Sequence, residues 1–389
     1  MRVCLELEQS ARVVWKVLVK VGDLVLRGQL VATPVGFGAN VHASVAGEVL
    51  AVSNLAVVIR MAGDQSADFV KIPSGLSYLE AIEHAGVVGA GGAGFPAHLK
   101  YANRIEGGVV IANAVECEPV LGHNVKLIEE NPEVIVRGLK YLLAVSGATK
   151  AYVAIKAKYQ QAVKALVVAC QAEAQVAVKF VPDLYPAGDE RVIVRELLQV
   201  ELKPQELPLV AKAIISNVET IKRVVEAIEE RKPVIEKDFT VAGRLQSEPT
   251  VFLDQPLGLP VSHYLQKCGG YVKPYGEIVI GGPFTGKRAS STAPTAKTTS
   301  GIFVAMPFPQ EPRKIGLLAC ECGASEARLR EIAEAMGANI VASEACKRMA
   351  MQGNRHRCDA PGLCPGQAEK ILKMKKAGIE ALIAGSCEP

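Results

Sequence analysis

Five glycines crowd into nine residues at positions 86–94, in the run Gly86-Val87-Val88-Gly89-Ala90-Gly91-Gly92-Ala93-Gly94-Phe95-Pro96. Where side chains are missing, backbone N–H groups can approach a phosphate or a flat ring closely. Such a loop alone is weak evidence for a nucleotide; its company makes it stronger. About twenty residues on, Val110-Ile111-Ala112-Asn113-Ala114-Val115-Glu116-Cys117-Glu118-Pro119 reads as a buried strand. It would deliver an asparagine and two carboxylates to its carboxyl end, where open α/β sheets bind ligands. Leu184-Tyr185-Pro186-Ala187-Gly188-Asp189-Glu190 follows another strand, and Ile215-Ser216-Asn217-Val218-Glu219-Thr220 comes later. A single carboxylate is more often solvated or capping than functional. Four such clusters in this order call for a shared site.

A second kind of chemistry sits near the end of the chain. Cys320-Glu321-Cys322 is followed by Cys346, Cys358, Cys364-Pro365 and Cys387. The strand pattern places Cys320, Cys322, Cys346 and Cys387 at or just past strand ends on one edge of a small sheet. Converging thiolates there could hold an iron–sulfur cluster or zinc, or could act as a redox dithiol. Cys4, Cys170 and Cys268 read as packing residues. The ten cysteines lack the even spacing of a disulfide framework, which fits a reducing cytosol.

The elements that must position these groups fall into blocks. Residues 12–59 read as short strands with Gly punctuation, a two-part repeat similar to the barrel-sandwich fold of biotinyl and lipoyl carriers. Those carriers attach their cofactor to a Lys at a hairpin tip, and residues 28–47 contain none. A docking module is therefore expected rather than a swinging arm. Helices at 78–85, within 125–144 (with Pro132 as a start signal) and at 159–173 alternate with strands at 108–112, 151–155 and 176–181. That alternation predicts a parallel sheet covered on both faces. Strand signals return at 238–241, 251–253 and 277–280, with one helix at 262–268. A small β-grasp domain is expected there, with a loop over 283–300. From 313 on the pattern is β-α-β-α-β, with strands at 315–319, 339–342 and 381–384 and helices at 325–336 and 366–377.

The four nucleotide-site clusters, in their order, resemble the flavin-binding domain shared by the complex I NADH-binding subunit and RnfC. The likeness extends to about Met306, since RnfC also joins this core to a lipoyl-like module and a β-grasp (SLBB) domain; Cys268-Gly269-Gly270 and Ile280-Gly281-Gly282-Pro283 mark the latter. The resemblance implies an α/β multidomain chain. Residues 1–65 would be the barrel-sandwich module, 66–236 the FMN- and NADH-binding core and 237–308 the SLBB domain. Residues 309–389 would form a Cys-containing electron-exit domain. It implies that Gly89, Gly91, Gly92, Gly94 and Lys100 border FMN and the dinucleotide, with Phe95 stacked near the nicotinamide or adenine. Asn113 would contact the isoalloxazine, and Glu116 and Glu118 would line the hydride-transfer pocket. Tyr185, Gly188 and Glu190 would face the nucleotide, while Asn217 and Thr220 would hold the ribityl phosphate. Val115 stands where RnfC has Val and complex I has Asp. The chemistry would belong to the flavin, which accepts a hydride and can release single electrons.

One departure is large. RnfC follows its SLBB domain with two C-x-x-C-x-x-C-x-x-x-C-P runs for iron–sulfur clusters, and this chain has neither. That replacement resembles the RnfC-like electron-transfer proteins associated with D-proline reductase. The chain stops two residues after Cys387: either the domain closes there or the sequence is cut short.

Composition bounds the rest. A chain of 389 residues suggests several domains, and 49% hydrophobic with 22% charged residues is ordinary for a large buried core. A net charge of +4, with no patch of interleaved basic and aromatic residues, excludes a nucleic-acid binder. No apolar run approaches a membrane span, and Glu6 and Glu8 interrupt any signal-peptide pattern. The expectation is a cytoplasmic flavoprotein passing electrons from NADH through FMN to a partner redox protein or reductase complex, recruited to a membrane only through other subunits. Two other classes compete. A docking subunit without flavin should have lost residues 91–95, Glu116, Glu118 and Asn217; an SLBB small-ligand binder would not need residues 113–119.

Overall fold

The computed structural model describes residues 1–7, 13–352 and 355–385. Cys387 and residues 8–12 lie outside the described residues.

The first block folds as two small antiparallel sheets facing each other. One joins Arg2–Glu6, Ala56–Met61, Gly47–Val52 and Leu24–Val25; the other joins Val14–Val17, Leu30–Val35 and Val41–His42. Alternate residues such as Val3, Leu5, Val57 and Ile59 point into the shared core and are almost fully buried, as a two-residue period requires.

The central block is a four-stranded sheet, all parallel, in the order Val176–Val181, Lys150–Lys156, Val109–Asn113, Ala213–Asn217. The first three strands run outward in one direction, and the fourth is added on the other side of the first. Chain direction along the sheet therefore reverses between Val109–Asn113 and Ala213–Asn217. Helices Pro132–Ser146, Gln160–Cys170, Glu190–Leu198 and Val218–Val225 pack around it. The single helix expected within 125–144 is two, His123–Glu130 and Pro132–Ser146. Pro132 has no N–H to continue the first helix, and its ring pushes Asn131 out of helical geometry, to φ −148°.

A mixed five-stranded sheet follows, in the order Thr250–Pro256, Glu236–Gly243, Gly301–Val304, Ile278–Ile280, Lys287–Ala289, with helix Val261–Lys267. Residues 283–300, expected as loop throughout, contain the strand Lys287–Ala289, which pairs with Ile278–Ile280. Gly286 allows this turn, because its Cα lies only 2.8 Å from where a Cβ on Gly281 would sit. This sheet, the central block and the N-terminal block share one continuous core.

The last block is a parallel sheet, Asn339–Ala345, Lys314–Ala319, Ala381–Ala384, with helices Glu326–Ala335 and Ala368–Lys376. It has a separate small core around Leu317, Leu329 and Ala333. A hairpin, Met349–Gln352 with Arg355–Cys358, was not legible in the sequence. No helix among the described residues is long and apolar enough to cross a membrane.

Candidate functional site

Asn113 and Asn217 end the two strands on either side of the reversal and stand in register as neighbours. Each is used first as a local fastener. Asn217 caps helix Val218–Val225 by accepting the Glu219 N–H at 2.8 Å. Asn113 accepts the Val115 N–H at 3.0 Å and donates to the Gly188 carbonyl at 3.0 Å. Expected against the isoalloxazine, Asn113 thus has both ends of its amide bonded to the protein, and it ties the second motif to the third.

The glycine loop lies over that crevice. Its ends are joined by hydrogen bonds from Gly89 N–H to the Phe95 carbonyl and from Gly94 N–H to the Gly89 carbonyl. The Ala90 N–H donates to the buried Thr220 hydroxyl at 2.9 Å, which pins the loop to the N-terminal turn of the helix. Gly91 sits over Asn217: a Cβ there would lie 3.4 Å from its amide nitrogen. Gly92 takes φ +99°, open to glycine and strained for other residues, with nothing within 4 Å of a Cβ. A bare stretch of backbone beside a capped helix N-terminus suits an anionic group.

Together these elements enclose a cavity of about 780 Å³, within the range of cofactor-sized sites. Of the expected site residues it is lined by Gly89, Gly91, Gly92, Phe95, Lys100, Asn113, Glu116, Glu118, Gly188, Glu190, Asn217 and Thr220. Gly94 closes the loop without lining it. Tyr185, expected at the nucleotide, instead donates its hydroxyl to the Cys322 carbonyl and sets its ring edge-on to Phe284. It joins the core to the last two blocks. Lys100 is already paired across the cavity with Glu190, at 2.6 Å. Phe95 meets Phe37 edge-on at 5.5 Å. Phe37 lies between Gly36 and Gly38, at the hairpin tip where a carrier domain would hold its lysine.

The two carboxylates do different work. Glu116 is buried and accepts from Asn124 Nδ2 at 2.9 Å. Glu118 accepts the N–H groups of Phe284 and Thr285, at 2.8 and 2.9 Å, and the Thr285 hydroxyl. A Cβ on Gly282 would collide with it. Glu118 therefore latches the turn of the five-stranded sheet onto the cavity wall.

Several lining residues were missed. His123 and Asn124 follow the second motif by a few positions. Burial pushes the His123 imidazole down to about 4, so it is neutral at pH 7. Asn124 Oδ1 is buried without a hydrogen-bond partner, an arrangement that lacks a donor from a bound molecule. Lys287 and Arg288 enter from the strand read as loop, exposed at the rim and without an acidic partner among the described residues. Cys117 lies against Gly188, and burial raises its thiol to about 11.

The C-terminal thiols gather differently from expectation. Cys322 hydrogen-bonds to both Cys320 and Cys358. These bonds, helped by backbone N–H groups of Cys322 and Gly323, lower the Cys320 thiol to about 6 and raise that of Cys322. Cys358, taken as a spare, is thus a member, whereas the Cys346 sulfur accepts from Gln367 at 3.0 Å. An iron–sulfur or zinc site on Cys320, Cys322 and Cys346 does not fit. Tetrahedral thiolates about 2.3 Å from an ion would lie about 4 Å apart. Among the described residues, the only group of three ligand atoms within 4.8 Å of one another is Glu226, Glu236 and Asp254. Those carboxylates are paired with Arg223, Lys222, Lys232 and Arg27.

Residues 82–226 match the Nuo51 FMN-binding domain, and residues 1–69 match the RnfC barrel sandwich hybrid domain. The cobalamin reductase PduS of Citrobacter freundii is 34% identical over 226 residues, 58% of this chain and 49% of that protein. The RnfC-type component of the Na(+)-translocating ferredoxin:NAD(+) oxidoreductase complex of Acetobacterium woodii is 32% identical over 305 residues, 73% of this chain and 69% of that protein. The chain spans about half the length of the cobalamin reductases it matches. An NAD+-reducing [NiFe]-hydrogenase structure aligns at TM-score 0.49 and 21% identity, over 59% of this chain and 46% of its own.

Proposed function

Because the chain belongs to the RnfC family, we propose that it is an electron-transfer flavoprotein that holds FMN in the central cavity and takes electrons from NADH. The observation that carries this reading is the cavity at the strand-order reversal, roofed by bare glycine backbone pinned to a capped helix N-terminus. Thr220, Asn217 and the backbone at Gly91 and Gly92 would hold the phosphate end. Asn124 Oδ1 would accept a hydrogen bond from the ring. FMN, when bound, supplies the conversion between hydride and single-electron chemistry. The protein supplies position and field: neutral His123 and buried Glu116 flank the ring's place, and Lys287 with Arg288 would meet dinucleotide phosphates at the rim. The sheet that carries them would be the SLBB β-grasp domain. Electrons would leave to a partner redox protein or reductase complex, with the D-proline reductase system as the narrower expectation. Denaturing purified chain after incubation with FMN should release stoichiometric FMN. A Gly91→Val chain, crowded against Asn217, should release little. No FMN from the unsubstituted chain after reconstitution would overturn the reading.

A further inference from the structure

The described cysteines are free thiols, and three of them stand in contact in the last block. Cys320 and Cys322 sit in the turn between strand Lys314–Ala319 and helix Glu326–Ala335; Cys358 ends the hairpin strand Arg355–Cys358. Cys322 touches both others, yet the three sulfurs do not close into the compact triangle a metal would need. A sulfur flanked by a second on each side is instead the arrangement of thiol–disulfide exchange. There the attacked sulfur lies between the attacking and leaving ones.

The surroundings fix this geometry. Glu321 accepts the backbone N–H of Cys358 and is held in turn by Arg357 at 2.7 Å and Arg191 at 3.4 Å. Arg191 also donates to the Cys358 carbonyl at 2.8 Å, and Tyr185 to that of Cys322. Both belong to the segment whose Gly188, Asp189 and Glu190 line the central cavity. One short stretch of chain therefore has the cavity on one face and the thiols on the other.

We propose that Cys322 and Cys358 form a reversible dithiol–disulfide couple, with Cys320 as an exchange partner for Cys322, and that its substrates are thiols and disulfides. The proposal does not depend on flavin binding. In the oxidising direction, the Cys358 thiolate attacks one sulfur of a substrate disulfide, and the other sulfur leaves as thiolate. That thiolate takes the proton of the Cys322 thiol. Cys322 then attacks Cys358, closing the Cys322–Cys358 bond and releasing the second substrate sulfur. The substrate gains two electrons, and the couple loses them. A dithiol reverses the sequence. The Cys320 thiolate, stabilised by the N–H groups of Cys322 and Gly323, can attack Cys322, shift the bond to Cys320–Cys322 and free Cys358. All three sulfurs are buried, which favours bonds within the trio over lasting mixed disulfides.

The test uses the full chain, equilibrated anaerobically in glutathione buffers of rising oxidised fraction, acid-quenched, alkylated and mapped by mass spectrometry. A Cys322–Cys358 bridged peptide should appear at intermediate poise while Cys346 and Cys117 stay alkylated. Cys358→Ser should divert the bridge to Cys320–Cys322, and Cys322→Ser should abolish both. Should Cys322→Ser fail to fold, Cys320→Ser retains the couple and must still form the bridge. Individually alkylated thiols at every poise would overturn the proposal. So would stoichiometric zinc or iron in anaerobically purified chain that shields the trio from alkylation.

Discussion

Glu118 shows how a motif residue can be placed correctly and still do different work from that expected. Its two oxygens accept three donors from residues 284 and 285, so it acts as a positioning residue for the sheet that brings Lys287 and Arg288 to the rim. A glutamine offers one acceptor oxygen and turns an NH₂ toward donors. Glu118→Gln should lower kcat/KM for NADH-dependent dye reduction roughly tenfold, ~1.4 kcal/mol, chiefly by raising KM. Unchanged kcat/KM would remove Glu118 from the site. An equal fall in kcat alone would return it to the chemistry. The residue types at the cavity were legible because glycine runs and clustered carboxylates stand out in sequence. Asn124 and His123 were not, since a helix start after Gly122 gives no signal of which side chain is left without a partner. Cys358 was set aside because nothing in its sequence neighbours announces a hairpin that folds back onto Cys322.

The parallel strands were readable from their continuous apolar runs, and their order follows once Asn113 and Asn217 are placed side by side. What sequence periodicity could not deliver was the break at Asn131–Pro132, where the apolar pattern continues but the hydrogen-bond ladder cannot. The strand Lys287–Ala289 was hidden for a related reason. Its three residues are polar or small, and it exists through pairing with Ile278–Ile280 rather than through its own propensity. These short, context-made elements carry the rim of the cavity. The glycine loop is context-made too, since Thr220, 130 residues away, fixes its position.

The N-terminal block, the core and the five-stranded sheet meet at Lys297. Its ammonium is buried and donates to the carbonyls of Asn40, at 2.6 Å, and Gly86, at 2.7 Å. Burial lowers its pKa from 10.5 to about 7, and a neutral amine still has two N–H bonds for the two carbonyls. His42, beside it, is pushed down to about 3 and is neutral throughout this range. Between pH 7 and 10.5 the unfolded chain holds a proton on Lys297 that the folded chain has shed. This group therefore makes stability rise with pH across that window, by at most ~1.4 kcal/mol per unit. The melting temperature of the unsubstituted chain should climb relative to Lys297→Met from pH 7 to 10. A difference that stays flat would mean the lysine remains charged. With three blocks locked at this junction, the cavity is held as one wall-and-roof unit, and the account rests on that unit being a flavin site served by NADH. The most direct measurement is anaerobic addition of NADH to the FMN-loaded full chain, followed by flavin absorbance. The account predicts bleaching with consumption of NADH in proportion to flavin. Bound FMN that keeps its colour with NADH, yet bleaches with dithionite, would contradict it.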